Sequence, residues 1–245
     1  ITTQGGDLTF NAGTGGEDKT ADFGAIDLSG GTLTFDNKAD QKSGAGVIAG
    51  TTSVVKTGLG ELKYRNANTY SGSTTISGGT LKADIADGLQ NSELTLDAGT
   101  FFDIDGRDQT IAGLGGSGTI TSERVGNNVT TLTINGGGGL TFSGDFTHDD
   151  SDPISVTKTG TGVQTFSVVN GAGAENEDVY TGATTITGGT LSITTANSLG
   201  TTAAATTVSG TGTLDLSGLA LNNAETINIS GSGIANVGAL TGTGT

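Results

Sequence analysis

Cysteine, methionine and tryptophan are absent from the 245 residues, proline occurs once, and aromatic residues make up only 4%. Without cysteine there is no disulfide and no thiolate metal site. No apolar run approaches the length needed to span a membrane, no signal peptide is present, and direct membrane insertion by this stretch is not expected. Cations are scarce too: 10 Lys and Arg face 25 Asp and Glu, a formal charge of −15. That balance opposes nucleic acid and anionic lipid surfaces, both of which require clustered basic side chains. The ten basic residues are scattered along the sequence and form no patch. Helix signals are also nearly missing; the best stretch, 84–91, lacks a sustained 3.6-residue period and reads as a loop.

Glycine is abundant, with 45 residues. Leu, Ile, Val and Phe together number 54, just above the content at which disorder becomes the default. Their spacing argues for order. Leu94/Leu96, Phe102/Ile104, Leu132/Ile134, Leu140/Phe142, Leu191/Ile193 and Leu214/Leu216 lie two apart, the period of a strand with one buried face. Short Thr-, Val- and Ile-rich strands alternate with Gly corners such as Gly30-Gly31, Gly78-Gly79 and Gly188-Gly189.

Two stretches nearly repeat each other. Lys56-Thr-Gly58 precedes Tyr70-Ser-Gly-Ser-Thr-Thr-Ile-Ser-Gly-Gly-Thr-Leu81, and Lys158-Thr-Gly160 precedes Tyr180-Thr-Gly-Ala-Thr-Thr-Ile-Thr-Gly-Gly-Thr-Leu191. An eight-residue insertion, 171–178, separates the second tag from its tyrosine, and further along Asp105-Gly106 matches Ser217-Gly218. The spacing defines modules of roughly 100 residues, approximately 1–54 (partial), 55–155 and 156–245 (partial), within one continuous domain spanning 1–245. Recurrent corner-to-strand units suit stacked coils better than hairpins, and few aromatics suit a narrow interior. The expected fold is all-β: a single right-handed parallel β-helix (solenoid) of roughly ten coils of about 20 to 25 residues, on the order of 50 Å long at the strand spacing.

The segments Val55-Lys-Thr-Gly-Leu-Gly-Glu-Leu62 and Asn68-Thr-Tyr-Ser-Gly-Ser-Thr-Thr-Ile-Ser-Gly-Gly-Thr-Leu81 resemble the passenger-associated transport repeat of Gram-negative autotransporters. The second copy departs from the pattern through its insertion and through Asp178-Val179 in place of Asn-Thr. The resemblance implies a β-helical passenger exported through the periplasm, displayed at the cell surface or outer membrane or shed, with repeats that support folding during secretion. It does not imply an activity. Ile1 in place of Met and a motif that stops at Thr245 suggest an excised piece of a longer parent.

The residues offer little chemistry. No catalytic set is expected: the one histidine, His148, lies in a polar loop ending at Pro153, and no Gly-Asp-Ser-Gly segment exists. Asp103, Asp105 and Asp108 are weak candidates for a cation site, but their spacing fits neither an EF-hand nor a calcium β-roll. Asp149, Asp150 and Asp152 crowd another loop. No cofactor is expected. The insertion departs from the repeat, so Gly171, Glu175, Asn176, Glu177 and Asp178 are the expected partner-contact residues. The favoured function is a non-enzymatic stalk or adhesin segment contacting a host or bacterial surface receptor or glycan. Self-association into a filament or biofilm, and a glycan-active enzyme using Asp103 and Asp108, are the alternatives.

Overall fold

A computed structural model describes residues 5–11, 25–38, 42–90, 92–122, 128–148, 152–168, 180–221 and 225–242. Every strand pair among them is parallel, which excludes hairpins and leaves a β-solenoid. Its first face is an 11-stranded sheet running from Leu8–Asn11 to Leu240–Thr241. The second face has six strands, from Lys42–Ala45 to Asp145–His148. The third face also has six, from Gln109–Ile111 to Ile227–Ile229. Ahead of these six, Ile26–Asp27 pairs with Ile48–Ala49, and single backbone bonds from Thr69 N to Ile48 O (2.9 Å) and Asp87 N to Asp108 O (3.1 Å) continue the same side. Helical structure among the described residues is limited to two 3₁₀ turns, Ala196–Leu199 and Ile234–Asn236.

Alternation translates directly into facing. In each strand one residue in two points inward, so apolar positions stack on their counterparts one turn away. Val54, Thr74, Leu94 and Leu114 stack in this way, 20 residues apart. Phe166 and Ile193, further along, are 27 apart, longer than the expected coil, whereas Leu191 and Leu214 of the next turn are 23 apart. Leu62, Leu81, Phe102, Ile120 and Phe146 form the matching buried column on the second face. Each fully buried aliphatic side chain contributes about 2 kcal/mol of transfer free energy. Small aliphatics fill most of the interior, and aromatic rings cluster at one place in it. Phe142, Phe146, Phe166 and Tyr180 gather at ring-centroid distances of 5.0 to 6.2 Å where the turns lengthen.

The first face has one weak rung. Gly113–Gly116 meets Gly138–Phe142 through the single partner pair Gly116 and Phe142, and a register shift follows between Gly138 and Thr141. The buried carboxamide of Gln164, two turns away, replaces the missing ladder bonds. Its Oε1 accepts from Leu114 N at 3.0 Å and its Nε2 donates to Leu114 O at 2.7 Å. The side chain thus imitates a strand backbone. In the first repeat the equivalent residue is Leu62, buried in an intact ladder. Gln164→Leu should therefore destabilise the chain by about 2 kcal/mol or more, because it strands a buried N–H and C=O; an unchanged urea midpoint would refute this assignment.

Candidate functional site

The shared Lys-Thr-Gly tag and Gly-Gly-Thr-Leu segment prove to be the two stacked halves of one corner. Lys56 is fully buried at the end of Ser53–Thr57 and stacks on Ile76 of the next turn. Its Nζ donates to Thr57 O (2.6 Å) and Gly58 O (2.9 Å) of its own turn and to Gly78 O (3.0 Å) of the next. One ammonium thereby ties two successive corners together. Gly58 has φ of 69° and Gly79 of 64°, left-handed backbone that a side chain disfavours. Lys158 repeats the device. It is fully buried, stacks on Ile186 and donates to the Thr159 carbonyl. A Cβ on Gly189 would stand 2.8 Å from its Nζ. Burial lowers both lysines from the ordinary 10.5 to about 8, with the Asp36 carboxylate opposing the shift at Lys56.

The repeat tyrosines are interior struts. Tyr70 OH bonds Thr74 Oγ1 at 2.6 Å, and Tyr180 OH bonds Thr184 Oγ1 at 2.7 Å. Tyr64 OH lies 3.3 Å from Tyr70 OH. Burial raises the pKa of all three phenols.

The carboxylates singled out in the sequence meet cations from neighbouring turns. On the second face Asp103 stacks beside Lys82, whose Nζ lies 2.7 Å from Asp103 Oδ2 and 2.6 Å from Asp105 Oδ1. These hydrogen bonds and charges outweigh desolvation and raise the Lys82 pKa. Arg107 reaches Asp105 at 3.8 Å and Asp84 at 3.9 Å, Arg65 reaches Asp84 at 3.8 Å, and Lys63 reaches Glu61 at 3.5 Å. Four basic residues dispersed in the sequence thus lie among four carboxylates on and beside the second face, a mixed ionic cluster rather than a basic patch. The cluster has a simple cause: turns of about twenty residues bring Lys63 and Lys82 into register. Asp108 points elsewhere, its Oδ1 accepting from Thr131 N at 2.8 Å. No group of three or more metal-capable side chains occurs among the described residues.

His148 Nε2 lies 3.1 Å from Thr181 Oγ1. Asp152 is buried and accepts from Asn128 N at 2.9 Å; Asp149 and Asp150 fall outside the described residues. So do Gly171, Glu175, Asn176, Glu177 and Asp178, the expected partner-contact residues. The ionic cluster on the second face carried a partial signal, since Lys63 and Lys82 occupy matching positions on strands about one turn apart. Pairing them with specific carboxylates required the turn length.

The family model described as passenger-associated-transport-repeat matches residues 54–83 and 156–193, the two stretches that contain the lysine-pinned corners. The chain is a β-helical autotransporter passenger segment. It is 33% identical over 195 residues to the Adhesin BmaC autotransporter of Brucella suis biovar 1 (strain 1330), an overlap covering 75% of this chain and 5% of that protein. No solved structure matches it.

The two passenger repeats do not occupy the same side of the solenoid. In the first, the Lys56 strand and Thr74–Ile76 lie on the first face and Thr80–Ala83 on the second. In the second, the Lys158 strand and Thr184–Ile186 lie on the third face and Thr190–Ile193 on the first. The pinned corner is therefore a portable unit that closes two different corners of the solenoid. Its lysines also set a pH dependence. Their folded pKa values lie below the unfolded one, so their contribution is lost as pH falls through about 8 and is complete only above 10.5. The passenger should gain up to about 3 kcal/mol per lysine as pH rises from 8 toward 10, until the unfolded tyrosines begin to ionise and reverse the trend. Denaturant titrations of a Lys56→Met/Lys158→Met double variant should show that rise flattened; an unaltered slope would refute the assignment.

Proposed function

We propose that this passenger segment is a non-enzymatic stalk and adhesin segment of a Gram-negative surface protein, projecting a binding surface away from the outer membrane. The carrying observation is the first face: eleven parallel strands in one stack, on the order of 50 Å of rod at the usual strand spacing. Such a stack grows by adding turns to an existing template, which suits export of an extended chain. Similarity to a protein named as an adhesin autotransporter supports the adhesive reading, and the chain spans 5% of that protein. The non-enzymatic reading is supported by the carboxylates of the second face, where Lys82 pairs with both Asp103 and Asp105 and Arg107 approaches Asp105. A host or bacterial surface receptor or glycan is the partner proposed.

The rod is tested by deletion in units of a turn. Residues 94–113 form one 20-residue turn, because Thr74 stacks on Leu94 and Leu94 on Leu114. Removing all twenty from the surface-displayed parent should preserve display and protease resistance, since Thr74 then meets Leu114. Removing ten of them should abolish both. Equal tolerance of the two deletions would refute the stacked rod. Cells displaying the parent should adhere to host-cell or glycan-coated surfaces, and polysaccharide hydrolysis abolished by Asp103→Asn would overturn the non-enzymatic reading.

A further inference from the structure

The duplication supplies an internal control for locating a ligand site. Structural register equates Thr80, Phe101, Asp103 and Thr121 of the first repeat region with Thr190, Thr213, Asp215 and Thr241 of the second. The turns that follow agree in detail. Asp105 N donates to Asp103 Oδ1 at 2.8 Å and Ser217 N to Asp215 Oδ1 at 3.1 Å, with Asp105 and Ser217 at φ of 47° and 51°. Against this shared frame, three positions differ sharply. Phe101 stands exposed where the second copy has Thr213, buried and bonded to Ile234 N and Gly238 O; Lys82 replaces the buried Ser192, and Glu61 replaces Val163.

The differences coincide with a cavity of about 220 Å³ on the second face, lined by Glu61, Thr80, Phe101, Asp103 and Thr121. Phe101 points outward from its strand, 42% exposed, while its neighbour Phe102 is fully buried in the core. Leaving a phenyl ring at a position where the duplicate keeps threonine gives up burial without improving the core. The polar groups around the ring, Glu61, Thr80, Asp103 and Thr121, converge from four successive turns, as ligand sites require.

Charge decides the ligand class. Asp103 is paired with Lys82 at 2.7 Å and Glu61 with Lys63 at 3.5 Å, so the groove holds no uncompensated carboxylate to draw a cation. The formal charge of −15 repels anions. What remains is an apolar ring beside carboxylate and hydroxyl acceptors, the complement of a molecule with one C–H face and several hydroxyl donors. The volume falls below the ~300–1,000 Å³ of drug-sized sites, leaving room for a single ring. We propose that this groove binds one residue of a neutral saccharide, with the sugar's C–H face on Phe101 and its hydroxyls donating to Asp103 and Glu61. The proposal rests on the adhesin reading and gives that reading a glycan as partner.

The test uses the 245-residue chain with glucose, galactose and N-acetylglucosamine as probes, read by saturation-transfer and amide-shift NMR. At least one sugar should bind weakly and shift amides at 101–103 and 119–121. Phe101→Thr, the residue the duplicate carries, should weaken binding at least tenfold without moving the thermal melt, and Phe101→Tyr should keep it. Absence of binding by all three sugars, equal binding by Phe101→Thr, or shifts confined to another face would overturn the site. Should the parent still mediate adhesion while the isolated chain binds no sugar, this site falls and the adhesin reading stands. Sugar binding without adhesion leaves the site standing and removes the adhesin reading.

Discussion

Each turn of this passenger must return to the strand it left, displaced by one strand spacing along the axis, and the rest of the structure follows from how the corners allow it. Parallel strands cannot be joined by a tight hairpin, so every rung needs three bends that bring the backbone against the backbone below. At the repeat corners a side chain would strike the neighbouring carbonyl, which restricts Gly58, Gly79 and their counterparts to glycine. Close approach also crowds carbonyl oxygens at the bend. The buried ammonium of Lys56, donating to carbonyls of two turns, converts that crowding into cohesion. The elements that the two copies of the passenger repeat share are therefore parts of one mechanical joint.

Polar groups inside the solenoid follow the same logic. A narrow coil cannot bury enough apolar area to tolerate open hydrogen bonds, so interior polar side chains bridge rungs. Asn68 accepts from Ile48 N at 2.8 Å and donates to Gly88 O at 3.0 Å. Gln109 accepts from Gly88 N at 3.0 Å and donates to Ile85 O at 2.7 Å. Together they join the turns of the third side where regular strands are lacking. Gln164 serves the first face in the same way. Stability is thus distributed along the rod in nearest-neighbour increments, and the outer surface is left to vary. The ionic cluster around Lys82 and the exposed Phe101 are variations of this kind, set on a frame that the second copy shares without them.

Much of this was legible in the linear chain. Two-residue alternation marked inward positions, and Leu94, Leu96, Leu132 and Ile134 are all buried. The match of Asp105-Gly106 to Ser217-Gly218 identified what turns out to be the same bend. The stretch 84–91 contains turns and no helix among its described residues. The clustering of Lys63, Arg65, Lys82 and Arg107 with their carboxylates was legible only in part, because sequence separation hides neighbours one turn apart until the turn length is known. Nor was the rotation of the repeats visible: Lys56 to Lys158 covers four turns and two further faces, because the turns lengthen from 20 to 26 residues along the way.

The sequence by itself determined the class of fold, the inward pattern and the identity of the repeated joint, since strand period, glycine corners and self-similarity are local properties. Tertiary structure alone decided which face each joint closes and which charges become neighbours. It also decided whether an aromatic ring faces core or solvent. Those outcomes depend on the accumulated length of every preceding turn, a sum that no single motif contains.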